Sequence, residues 1–269
     1  MTVSAQTATV SVSSTALDHN LFRRMKVIPT AKLDAMKEFI AEESAKRLAH
    51  EYTVERRKFS TGEPFTATAT TDNGDYKEYR PLKAFATSDA VARLFYTQKI
   101  DVARYLNPHG SKTGSETTNL KGINKILGVA TAIYEGKLDK VEKVMTAGLA
   151  CAYIYALNNR PSDGSDKVHV TRDAMESFLR SASMRTFSQG TEEFWSHLTK
   201  YLGTCAGSGA DTQASQIIRQ SVALGIATDI RTDKRKDMIL DLGNPILTAL
   251  MTRLGVIRPV EDAETDQAD

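Results

Sequence analysis

Apolar residues recur at three- and four-residue spacing over most of this chain, and that pattern restricts it to a largely α-helical architecture. Over 32–50 the repeat is Leu33, Met36, Phe39, Ile40 and Leu48. Pro29-Thr30 supplies a break and a cap before it, and Lys37, Glu42, Glu43, Lys46 and Arg47 form the polar face. The same reading predicts helices over 17–28, 119–134, 138–157, 171–187, 191–202, 212–228 and 234–240. Another runs from the Ser88-Asp89 cap to Leu106 and ends at Asn107-Pro108; the last covers 245–254, with Asn244 as cap and Pro245 at the first helical position.

One stretch changes period. Residues 52–60 and 65–71 are rich in Thr, Val, Phe and Tyr and are joined through Thr61-Gly62-Glu63-Pro64. The Asn-Gly turn signal in Asp72-Asn73-Gly74-Asp75 follows, and 76–82 continues in extended style. The expected fold is therefore mainly α: a helical domain with a small antiparallel three-stranded β-meander near the N-terminus, over 52–82. An OB barrel needs five strands, so this is not a complete one. The organisation reads as a flexible Ser/Thr-rich arm (1–16), one mainly helical domain (17–258) and an acidic tail (259–269). No repeat of fixed period suggests a solenoid.

The formal charge of +2 conceals an asymmetry. Glu261, Asp262, Glu264, Asp266 and Asp269 place five acids and no base at the end, leaving 35 bases against 28 acids before them. A basic body attracts polyanions, and the acidic tail is expected to contact a partner or compete for the basic surface; the plainer alternative is a solvated terminus. Cys151 and Cys205 are the two cysteines and lack CxxC spacing, which fits a reducing compartment and suggests neither a disulfide framework nor a zinc knuckle. The arm lacks a basic start and a leucine-rich stretch, so it does not read as a secretory signal. The most apolar run, 147–157, is far short of the roughly 20 residues of a spanning helix. No membrane contact is expected, and the compartment is read as cytoplasmic.

Catalytic motifs fail on inspection. Gly110-Ser111-Lys112-Thr113-Gly114 offers glycines, a lysine and a hydroxyl, but Ser111 stands where a phosphate loop needs Gly before the lysine, and Leu106 where it needs the first Gly. His19, His50, His109, His169 and His197 are scattered, with no HExxH or HxH pair. Glu192-Glu193 suits a helix N-terminus better than acid/base chemistry. The chain is thus expected to be a binder rather than an enzyme, with no cofactor and no metal.

Binding a single strand requires cations along the phosphates and aromatic faces on which unpaired bases stack, worth about 1–3 kcal/mol per base. Residues 52–80 supply both in Arg56, Arg57, Lys58 and Phe59, then Tyr76, Lys77, Tyr79 and Arg80. Strand alternation puts Arg56 with Lys58 and Lys77 with Tyr79. The competing reading is that the aromatics face the core and the cations form an ordinary solvated face. Lys112, Lys121 and Lys125 around the 109–118 loop, and the runs Arg23-Arg24-Met25-Lys26 and Arg231 with Lys234, Arg235 and Lys236, could extend a groove; Asp233 and Asp237 dilute the last. Trp195 fits core packing better than base stacking.

A flexible arm, a basic body with cations among Tyr and Phe, and a tail ending Glu261-Asp-Ala-Glu-Thr-Asp-Gln-Ala-Asp269 resembles the layout of bacterial and phage single-stranded-DNA-binding proteins. In size and helical content the chain is similar to phage-encoded single-stranded-DNA-binding cofactors that recruit RNA polymerase in podoviruses carrying a virion RNA polymerase. That resemblance implies sequence-tolerant binding to melted promoter DNA in the host cytoplasm and a tail or surface contact with phage RNA polymerase. RNA as ligand, self-association, a nucleocapsid-like coating role and a non-enzymatic adaptor remain as alternatives.

Overall fold

The computed structural model describes residues 15–53, 56–57, 64–65, 80–106, 116–136, 143–180, 209–232, 235–254 and 256. Helix α1 (Thr15–Lys26) inserts Leu21 and Met25, one turn apart, against the last helix and α4 (Asp89–Gln98). Helix α2 (Thr30–Thr53) buries Leu33, Ile40 and Ser44 along one stripe, with Met36 and Leu48 half-buried beside it. Two residues depart from the expected faces. Phe39 is 42% exposed, whereas Arg47 is buried and its guanidinium donates to the Leu106 carbonyl at 3.4 Å.

Across the α2–α4 contact, Asp89 meets both Lys37 and Arg93. Burial alone would raise the Asp89 carboxyl, but the hydrogen bonds and charges of Arg93 and Lys37 outweigh it and hold the group below the usual carboxylate range. Instead of one helix to Leu106, the chain breaks after α4. Lys99 takes the left-handed conformation (φ 52°), its N–H and that of Ile100 return to Tyr96 and Phe95, and Asp101 caps the short α5 (Val102–Leu106) by accepting from Arg104 N–H at 3.0 Å. The break turns Tyr105 back onto Phe85 and Phe95, giving three ring contacts at 5.4–5.7 Å.

Phe85 belongs to α3 (Arg80–Thr87), a helix where 76–82 was expected to be extended. Leu82 and Phe85 are one helical turn apart and both buried, and Pro81 in the first turn is tolerated there but would leave a ladder donor missing in a strand. Of the expected meander, a short antiparallel pair is present: β1 (Arg56–Arg57) with β2 (Pro64–Phe65). Its first strand starts late because α2 continues through Thr53. Residues 58–63 and 66–79, the arm over 1–14, the expected helix at 191–202 and the tail lie outside the described residues.

Helices α6 (Glu116–Glu135) and α7 (Lys143–Asn158) form the middle of the core, and α8 (Arg172–Arg180), α9 (Gly209–Ala223) and α10 (Pro245–Arg253) pack around them. Asn244 caps α10 as expected, its side-chain oxygen accepting from the N–H groups of Ile246 (2.9 Å) and Leu247 (3.3 Å).

The three-stranded antiparallel sheet lies in the second half of the chain, not near the N-terminus. It comprises β3 (Lys167–Val170), β4 (Ala227–Thr232) and β5 (Arg235–Asp241) in the order β3–β5–β4. The helix expected over 212–228 is present as far as Ala223 and gives way to strand β4 at Ala227, while 234–240, expected as a helix, falls on strand β5. Gly225, at φ +71°, ends the first helix, a conformation glycine adopts without steric cost. Beyond it the buried positions alternate: Val168, Val170, Met238 and Leu240 line the inner face against the helices, while the His169 side chain stays 51% exposed. Among the described residues no helix is long and apolar enough to cross a membrane.

Tyr153 on α7 is buried, and burial, reinforced by the charge of Asp166 against the opposing Arg160, pushes its phenol up to about 12. Below about pH 10 both folded and unfolded chains keep this proton. Between about pH 10 and 12 the unfolded chain loses it first, so stability drops by up to about 1.4 kcal/mol per pH unit. Thermal melts from pH 9 to 11.5 should show a shallower alkaline decline for Tyr153→Phe than for wild type; superimposable declines would refute the assignment.

Candidate nucleic-acid interface

Among the described residues, several of the basic side chains are engaged in packing. In the Arg23-Arg24-Met25-Lys26 run, Met25 is buried, Arg24 donates to the Thr97 carbonyl at 2.7 Å, and the Lys26 ammonium stands 4.2 Å from the Phe22 ring centroid. Arg253 stacks on the same ring at 4.6 Å while donating to the Ile133 carbonyl at 3.1 Å. Met25 and Arg24 therefore fasten α1 to the body through the last turn of α4, while Arg23 and Lys26 stay exposed on the helix.

Lys125 corrects the expectation of a loop-side binding residue. It is 1% exposed, and its ammonium donates to Gln213 Oε1 at 2.8 Å. The cause is its helix: α6 packs against α3, α4, α9 and α10, so its central turns have little free surface. A polar seam follows from this packing. Gln213, Gln216 and Gln220 recur at three and four residues on α9, and Gln220 Oε1 accepts from the Tyr105 hydroxyl at 2.9 Å. Sequence reasoning missed this seam, although the spacing of the three glutamines was a usable signal. Burial raises the Tyr105 phenol well above its ordinary range.

Lys121 lies on α6 one turn before Lys125; its side chain, like Lys112, falls outside the described residues. Arg56 and Arg57 form β1, with Arg56 opposite Phe65 and Arg57 opposite Pro64. Arg80 is exposed at the first residue of α3, where the helix dipole disfavours a cation. Lys58, Tyr76, Lys77 and Tyr79 lie outside the described residues, as do Glu261, Asp262, Glu264, Asp266 and Asp269.

One further cluster joins the sheet to α8. Asp237 Oδ2 lies 3.0 Å from His169 Nε2, and its Oδ1 accepts from the Arg172 N–H at 2.9 Å. The Arg172 guanidinium in turn pairs with Asp211 on α9, and Thr171 Oγ1 accepts from Ala174 N–H at 3.1 Å. A carboxylate beside an imidazole is two thirds of a hydrolytic triad, but among the described residues no hydroxyl or thiol bonds to this ring. The cluster acts as a brace in which Asp237 supplies an acceptor to the first turn of α8. Its 65-residue separation from Arg172 gave no local sequence signal.

Cys151 is buried, and burial pushes its thiol well above the range in which a thiolate forms near neutrality. Among the described residues no group of three His, Cys, Asp or Glu side chains could hold a metal ion.

These features define a mainly α protein with a small antiparallel sheet. No protein-family model, curated protein or solved structure matched the chain.

Proposed function

We propose that this protein binds single-stranded DNA with little sequence preference and serves as a viral transcription cofactor, holding melted promoter DNA for an RNA polymerase in the host cytoplasm. It is read as a binder without catalytic chemistry of its own. The observation that carries the reading is the β1–β2 register, which sets Arg56 opposite Phe65. Cross-strand partners share one face of a ladder, so a cation and an aromatic occupy neighbouring positions there, the combination that single-strand recognition uses for phosphate and base. Lys58, Tyr76, Lys77 and Tyr79 would extend that surface, with Arg57, Arg80, Lys112 and Lys121 as further phosphate contacts.

The basic excess before residue 261 supplies long-range attraction, and the acidic tail is assigned to the polymerase or another protein partner. Fluorescence anisotropy with a labelled single strand and its duplex, over a salt series, tests the proposal. The expected result is at least about tenfold preference for the single strand and an affinity that falls steeply with salt. Equal binding to both forms, or none to either, would overturn it.

A further inference from the structure

We propose that the last turn of α1 is a second contact for the nucleic-acid phosphate backbone, an inference that rests on the binding reading above and adds a separate surface to it. The helix geometry locates it. Leu21 and Met25 face the core, and the Val27 N–H still bonds back to the Arg23 carbonyl, so the helical spacing holds through Val27. At about 100° per residue, positions 23, 24, 26 and 27 fall side by side around the helix in the order Lys26, Arg23, Val27 and Arg24, and all four are exposed.

Neighbouring elements extend this arc at both ends. On the Lys26 side the Phe22 ring is shared: the Lys26 ammonium lies 4.2 Å from its centroid and the exposed Arg253 of α10 lies 4.6 Å from it. On the Arg24 side the guanidinium donates to the Thr97 carbonyl, and Lys99 follows two residues later, also exposed. Five cations from three segments thus form one band, in the order Arg253, Lys26, Arg23, Arg24 and Lys99, with Val27 set into it at 74% exposed. Two acids stand at its ends. Glu135 lies two residues beyond the Ile133 carbonyl that Arg253 meets, and Asp101 lies two beyond Lys99, its carboxylate already bonded to the Arg104 N–H.

Helix ends explain part of this band. Arg24 and Arg253 meet carbonyls in the last turns of α4 and α6, where a cation is favoured. One cation would serve the end of α1 in the same way, yet every exposed polar position of its last turn carries one. Arg23 and Lys26, three residues apart on one side of the helix, repel each other, a cost that a bound anion relieves. The carbonyl bonds also suit a binding role: each uses one of the five N–H donors of a guanidinium and fixes its position, so less ordering remains when a phosphate arrives. A band of fixed cations matches a chain that offers a negative charge at every nucleotide. Such contacts position the strand and carry no sequence information.

The test uses the full-length chain and the double variant Arg23→Gln/Lys26→Gln, with Lys167→Gln/Arg180→Gln as a control that removes the same charge from exposed positions on β3 and α8. Labelled single strand and labelled duplex are titrated in parallel over a salt series. Two lost phosphate contacts should make the log–log salt slope for the single strand shallower by about 1.4 and lower affinity by about tenfold at 0.1 M salt, with the control within about twofold of wild type. If the wild type binds single strands and the double variant keeps its slope, the α1 contact is overturned and the proposed function stands. Equal losses in the double variant and the control would mean long-range attraction alone, again against the contact. A shallower slope on duplex alone would support the contact while the single-strand reading fell, and a wild type that bound neither form would overturn both. Arg23→Gln alone guards against misfolding. Its exposed side chain makes none of the contacts that hold α1, so the melting temperature should stay within about 2 °C of wild type while the slope falls by about 0.7; a slope that does not fall overturns the contact.

Discussion

Gly148→Val should lower stability by about 3 kcal/mol and the melting temperature by about 6–12 °C, the largest single loss expected from a backbone position in this fold. At Gly148, α7 packs tightly on its neighbours: a Cβ built there would lie 2.5 Å from Ile217 Cδ1 on α9 and 3.5 Å from Met175 Cε on α8. Ile217 and Met175 are both fully buried, so neither can swing its terminal carbon into solvent. Valine adds three carbons to that contact and is stiff at χ1, so overpacking of about 1–3 kcal/mol combines with strain in the helix. Alanine separates the two effects. Its single methyl meets the same Ile217 carbon, but replacing helical Gly recovers about 1 kcal/mol of propensity, so Gly148→Ala should fall within about 1 kcal/mol of wild type. Urea melts of the three proteins check this; equal midpoints for Gly148→Val and wild type would contradict the close α7–α9 approach.

Lys125→Ala should cost about 2–4 kcal/mol and leave nucleic-acid affinity within about twofold of wild type. The side chain is enclosed, so truncation removes a packed four-carbon stem and leaves a cavity between α6 and α9. Part of the loss is offset, because burying an ammonium is itself costly and Gln213 retains some solvent contact. Lys125→Met keeps the stem and drops the charge, and should fall within about 1 kcal/mol of wild type. A phosphate contact behaves in the opposite way: its loss would weaken binding by about fivefold at 0.1 M salt and leave stability nearly untouched. Thermal melts and anisotropy on the same two variants therefore distinguish a core lysine from a binding lysine.

Helices were the legible part of the sequence because their signals are local. Ser88 and Asn244 cap where their chemistry demands, and the α2 stripe follows its three- and four-residue spacing. The break at Lys99 was hidden because a lysine gives no warning of a left-handed conformation; the signal was Asp101, which reads as a second cap once the break is allowed. The sheet was misplaced for a different reason. Strand β5 holds Met238-Ile239-Leu240, a short apolar run whose period is ambiguous between helix and strand, and its pairing with Val168 and Val170 joins residues about 70 apart. Arg80–Leu82 failed as a strand because the decisive contact, Leu82 and Phe85 against the core, lies beyond the segment that suggested extension.

The candidate site was legible only as composition. Periodicity could place Lys121 and Lys125 on one stripe of a helix, but not reveal that the helix would be surrounded. The same limit hid the roles of Arg24 and Asp237, whose partners lie 73 and 65 residues away along the chain.

The central claim is that this chain holds a single strand on the cation-and-aromatic surface around β1 and β2. Photocross-linking of the full-length protein to single-stranded DNA substituted with 5-bromodeoxyuridine, followed by mass-spectrometric mapping of the attached peptides, tests it most directly, since the excited base reacts with the aromatic rings it stacks on. The account predicts attachment within residues 52–82, at Phe59, Phe65, Tyr76 or Tyr79. Attachment confined to peptides outside that segment, or none at concentrations where the strand is bound, would contradict it.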